Sequence, residues 1–128
     1  MRALIIDEPW ISAILRGEKT WEMRKKPCRF REKVGLIRKG SGQVVGVAVV
    51  VDSLPPIMTS AAYAEAERFH RIPPAQQGRA FADGWTTPWV LKSAMAIPRP
   101  VPYQHKSGAV VWVTLVPEVQ EKVEAQSR

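Results

Sequence analysis

A chain of 128 residues, 45% of them hydrophobic, has the size of one domain and can bury about two thirds of its unfolded surface, so folding requires no staples. That composition excludes a disordered chain, and a single cysteine, Cys28, excludes an intramolecular disulfide and fits a reducing compartment. No stretch approaches the roughly 18 apolar residues of a membrane span, and the apolar run near the start is too short for a signal peptide. The expectation is a soluble cytoplasmic protein without a membrane partner.

In chain order, residues 2–6 read as a first strand with the continuous apolar core Ala3-Leu4-Ile5-Ile6. Asp7 is placed to cap the helix that follows, and Pro9 suits its first turn. Trp10 with Ile14, and Ile11 with Leu15, form i,i+4 pairs on that helix, which ends at Arg16-Gly17. A strand from Thr20 to Arg24 leads into a basic loop, residues 25–33, containing Pro27. Residues 34–39 form a strand and Gly40-Ser41-Gly42 a turn. Residues 43–51 carry the strongest strand pattern, near-continuously apolar and so buried on both faces, with Gly46 marking a bulge or close approach. Pro55-Pro56 ends it. Thr59 or Ser60 caps a helix to about His70, and Pro73-Pro74 separates it from a second helix ending near Asp83-Gly84. Residues 89–96 and 109–116 read as strands. The intervening Pro98-Arg99-Pro100-Val101-Pro102 must be extended and cannot be a central strand. Residues 118–128 are polar and read as a frayed helix or a disordered tail. Five or six strands with two or three helices make an α+β protein.

The net charge of +7 is concentrated rather than spread. Residues 16–39 hold ten basic and three acidic side chains and carry the whole excess. Such clustering is the footprint of a polyanion binder, which we weigh above a merely solubilising surface.

Within that window stands Gly17-Glu18-Lys19-Thr20-Trp21-Glu22-Met23-Arg24. Gly17 supplies the left-handed residue that ends a helix. In a strand, Thr20, Glu22 and Arg24 share one face, and Lys19 joins them only if the chain bends after Gly17. The plain structural alternative is an exposed strand with a cross-face ion pair. Lys19 as a general base would need its pKa lowered by roughly three units, so binding is the simpler role. Glu22 can accept from the exocyclic amine of a base, and Arg24 can donate to carbonyl or phosphate oxygens. Trp10, Trp21, Trp85 and Trp89 are candidates to stack on a base, although tryptophans more often belong to a core. No cofactor is expected. The two histidines and one cysteine lack metal-ligand spacing, and Gly40-Ser41-Gly42 lacks the Lys-Ser/Thr of a phosphate loop.

Gly17, Lys19, Glu22 and Arg24 stand where the ASCH domain carries its Gly-x-Lys-x-x-Glu-x-Arg signature. Pro9-Trp10 with Ile11 and Ile14 resembles the ASCH lead-in. Pro100-Val101-Pro102-Tyr103, then Ser107-Gly108-Ala109 and Trp112, resembles its distal block. The resemblance implies a domain over residues 1–116, followed by a polar C-terminal tail at 117–128. It implies a PUA-like fold: a small β-barrel with covering helices and a cleft binding RNA or a modified nucleobase beside the motif. Trp10, Lys19, Glu22, Arg24, Lys25 and Lys39 are the expected ligand contacts, with Tyr103 and Ser107 as the opposite wall. Some ASCH-like proteins are acetylcytidine amidohydrolases or ribonucleases, which makes an enzyme the alternative, with Lys19, Thr20 and Glu22 as catalytic candidates. Those amidohydrolases have Thr where Glu22 stands, so Thr20 would be the substitute nucleophile and Glu65 or Glu67 the distal acid. A third alternative is a protein-interaction adaptor using the basic face.

Overall fold

A computed structural model describes all 128 residues. Six strands form one curled sheet: β1 (Arg2–Ile6), β2 (Trp21–Arg24), β3 (Lys33–Arg38), β4 (Gln43–Ser53), β5 (Thr87–Pro102) and β6 (Trp112–Thr114). Their order is β2-β5-β4-β3-β1-β6, antiparallel throughout except for the parallel pair β1–β3. The result is an α+β half-barrel, as expected. Five helical segments cover it rather than two or three: α1 (Trp10–Leu15), α2 (Ser60–Glu65), α3 (Glu67–His70), α4 (Pro74–Ala82) and α5 (Pro117–Gln126).

Alternation along β1 explains why its apolar run is unbroken. Leu4 and Ile6 enter one core with Ile11, Ile14, Leu36 and Val50, while Ala3 and Ile5 enter a second with Ile37, Val44 and Val123. The sheet bends at β4, whose pairing with β5 shifts register three times. Gly46 sits at this bend. A Cβ there would lie 2.6 Å from the Met95 carbonyl oxygen and would also strike Leu15, so only glycine fits.

Two local expectations need correction. The side chain of Asp7 does not cap α1; it accepts from the Glu8 N–H, and the Glu8 carboxylate takes the Ser12 N–H and hydroxyl instead. Pro98–Pro102 is extended, as expected, and pairs with β4 as far as Gln43↔Pro102. The proline rule still operates, because β2 pairs only with residues 87–90 and leaves this half of β5 as an edge. That edge is covered by the segment expected to be frayed or disordered. The Gln126 amide of α5 accepts from the Arg99 N–H at 2.7 Å and donates to the Arg99 carbonyl at 2.9 Å, and Val123 is fully buried. A polar sequence concealed this because one amide and one valine do the docking.

Candidate functional site

The Gly17 turn, φ +79°, follows α1 and redirects the chain before β2 begins at Trp21. The N–H groups of Glu18 and Lys19 both bond to the Ala13 carbonyl, fixing the turn to the helix. This is the bend that brings Lys19 to the Glu22 side. Lys19 Nζ lies 3.8 Å from Glu22 Oε1, while Arg24 donates to Glu22 Oε2 from Nε at 3.2 Å and Nη2 at 2.9 Å. Arg24 Nη2 also donates to the Ile5 carbonyl at 2.9 Å, tying the β2 edge to β1 across the mouth of the half-barrel. Lys19 and Glu22 are buried at 2% and 6% exposure.

Burial lowers the Lys19 pKa to about 8; Glu22 opposes the shift and Arg24 reinforces it. The amine is further held by the His70 carbonyl at 2.6 Å. His70 was not among the sequence candidates, because it acts through its backbone from 51 residues away. Its imidazole is fully buried between two backbone groups. Nε2 meets the Tyr63 carbonyl at 2.7 Å and Nδ1 accepts the Ile72 N–H at 2.9 Å, which assigns the neutral Nε2–H tautomer. The ring thus clasps the turn through Arg71, itself left-handed at φ +59°, and aims the carbonyl at Lys19.

Desolvation lowers the His70 pKa; Lys19 adds to this, while the Tyr63 bond and Glu67 oppose it. A depressed folded pKa contributes stability above the unfolded value of about 6.5, lost as pH falls through the folded one. Urea midpoints are therefore expected to fall between about pH 7 and pH 5, and His70→Gln should flatten that fall. An unchanged acid dependence in the variant would show that other groups cause it.

These side chains line a cleft of about 1490 Å³. Trp10, Lys19, Glu22, Arg24, Lys25, Lys39 and Tyr103 all face it. Lys19 Nζ is 5.2 Å from the Trp10 ring centroid, and the Arg24 guanidinium carbon 5.5 Å from that of Trp89. Lys39 approaches Asp7 at 4.0 Å, and the Tyr103 hydroxyl contacts His105 Nδ1 at 3.0 Å. Trp85, Trp89 and Trp112 add further walls, Trp89 and Trp112 stacking at 5.8 Å.

Several candidates lie elsewhere. Trp21 stacks on Phe69 at 4.5 Å, outside the cleft. Ser107 is on an exposed turn that does not reach the cleft wall. Thr20 is also absent from the wall. It precedes β2, with its N–H on the Phe69 carbonyl and its carbonyl on the Leu91 N–H. Glu65 is exposed, Glu67 accepts from Gln77 at 2.7 Å, and neither lines the cleft.

Fold and site together define a curled half-barrel with a charged, aromatic-walled cleft. The chain belongs to the ASCH domain family, whose model matches residues 4–124, through most of α5. Membership places it in a class of PUA-like domains of RNA-binding or hydrolase type. The fold is similar to the crystal structure of ASCH from Zymomonas mobilis, with TM-score 0.73 and 16% identity over 99% of this chain and 95% of that one. A serine-to-alanine mutant of that protein matches with TM-score 0.74 and 16% identity, covering 99% and 96%. A tyrosine-to-phenylalanine mutant gives 0.71 and 17%, covering 99% and 98%. No curated protein matches the chain. No helix is long and apolar enough to cross a membrane.

Proposed function

We propose that the cleft binds single-stranded RNA, reading a base at Glu22 and Arg24, and holding its phosphates with the Lys19 ammonium and with Lys25, Lys26 and Lys39. The carrying observation is what the motif leaves unused. Glu22 Oε1 accepts no hydrogen bond, and Arg24 Nη1 donates none. No buried side-chain polar atom lacks a partner, so both atoms are open to the cleft. Each can meet a ligand on its own: the oxygen accepts from an exocyclic amine of adenine or cytosine, and the nitrogen donates to a carbonyl or phosphate oxygen. Trp10, also in the cleft wall, supplies a flat face. The cleft volume exceeds the roughly 300–1,000 Å³ of small-molecule pockets, which favours a strand over a lone nucleoside.

The basic window makes the binding salt-dependent. If about four phosphates are neutralised, log affinity falls against log salt with a slope near −3. A fluorescence-anisotropy titration over a salt series measures it. Salt-independent affinity, or no RNA binding at low salt, would sink this reading in favour of a protein adaptor.

Burial of Lys19, with a pKa of about 8, favours a second reading, hydrolysis of a nucleoside or RNA by Lys19 acting as base. With Thr20 outside the cleft, such a reaction would have to activate water. The Glu22 carboxylate works against it by favouring the ammonium form.

A further inference from the structure

Trp85 differs from the other cleft tryptophans. Trp89 is buried, stacks on Trp112 and donates its Nε1–H to the Lys26 carbonyl at 2.8 Å. Trp85 is 39% exposed, stacks on no aromatic ring, and its indole N–H has no protein partner. Its backbone, by contrast, is fixed. The N–H bonds to the Ala80 carbonyl at 3.0 Å, and the carbonyl accepts the hydroxyl of Tyr63, a 1% exposed side chain, at 2.8 Å. An open indole on an anchored backbone is a stacking surface that loses little entropy on contact. The Lys25 ammonium lies over the ring, 4.8 Å from its centroid, on a side chain that is itself exposed.

Position completes the argument. Arg24 pairs in register with Thr87, and Trp85, two residues before Thr87 in the turn that leads into β5, lines the same cleft as Glu22 and Arg24. Lys25, next to Arg24 in sequence, places its ammonium over the Trp85 ring and so links the two. We propose that Trp85 is a second base-stacking subsite and Lys25 the phosphate contact joining it to the first. The ligand is then an oligonucleotide of at least two nucleotides rather than a nucleoside. This rests on the nucleic-acid reading above. On binding, a base takes the exposed indole face and the Lys25 ammonium moves from the ring to the linking phosphate.

The test compares a mixed-sequence single-stranded oligoribonucleotide with mononucleotides on wild type, Trp85→Ala and Trp85→Phe. Trp85→Ala should weaken oligonucleotide binding at least about fivefold, the low end for one base–aromatic stack. It should leave mononucleotide affinity and the thermal midpoint unchanged, and Trp85→Phe should restore part of the loss. Oligonucleotide binding that survives Trp85→Ala intact would overturn the subsite while leaving the RNA reading in place. The same result would follow if the indole docks a protein instead. Equal losses for oligonucleotide and mononucleotide would also overturn it. A wild type that binds neither ligand would remove the RNA reading itself, and the subsite with it.

Discussion

Glu22→Ala is expected to destabilise the fold by about 3–5 kcal/mol, the cost of leaving buried charge uncompensated. Glu22 is the one anion between two cations whose side chains are 1% and 13% exposed, Lys19 and Arg24. Its removal leaves them facing each other in a site largely closed to water, where repulsion is weakly screened. Urea unfolding measures the loss. The double variant Glu22→Ala/Lys19→Met should recover part of it, because the uncompensated charge disappears with the lysine; the cycle then shows strong coupling. A loss below about 1 kcal/mol would mean that the cluster behaves as an exposed ion pair.

Lys19 separates binding from catalysis by the sign of a pH dependence. Its folded pKa is about 8, below its ordinary value of 10.5. The unfolded chain therefore binds more protons between those values. The stability linked to Lys19 is fully present above the unfolded pKa and is lost as pH falls through the folded one. For an anionic ligand held by the ammonium the sign is opposite. Affinity should fall roughly tenfold as pH rises from about 7 to 9, the worth of one charge-assisted hydrogen bond at its low end. A reaction using the neutral amine would instead accelerate through the same interval. Lys19→Met should abolish either trend. We expect the falling affinity, and weak or absent deacetylation of acetylcytidine followed by chromatography. A rate that climbs through about pH 8 and vanishes in Lys19→Met would establish the enzyme.

Much of the frame was legible because it depends on local chemistry. The run at residues 43–51 became β4, Gly46 became the bend, and Thr59 caps α2 through the Ala62 N–H at 3.1 Å. The Gly17 turn and the meeting of Lys19 with Glu22 also follow from adjacent residues. What was not legible depends on distant partners. No local pattern shows that the His70 carbonyl holds Lys19, or that Gln126 covers the Arg99 edge. Residues 60–82 split into three helices because the turn at Arg71, clasped by His70, separates α3 from α4, while α2 already ends at Ala66. Thr20 shows the opposite failure. Strand alternation placed it beside Glu22, but its N–H is held by the distant Phe69 carbonyl and it does not line the cleft.

The most direct measurement is the affinity of one labelled single-stranded RNA for wild type, Arg24→Ala and Lys26→Ala at a single low salt concentration. Arg24 lines the cleft with an unused Nη1, whereas the Lys26 side chain is exposed and makes no hydrogen bond. Its backbone carbonyl, which receives the Trp89 indole, survives substitution. Arg24→Lys, which keeps the charge but not the fork, guards against a mere loss of folding in Arg24→Ala. Arg24→Ala should weaken binding at least tenfold, and Arg24→Lys should remain well below wild type, about 1.4 kcal/mol or more in each. Lys26→Ala should change affinity by less than about threefold, as one exposed phosphate contact among several does. Equal, small losses from Arg24→Ala and Lys26→Ala would contradict it, because RNA would then be held by diffuse charge and not by the cleft.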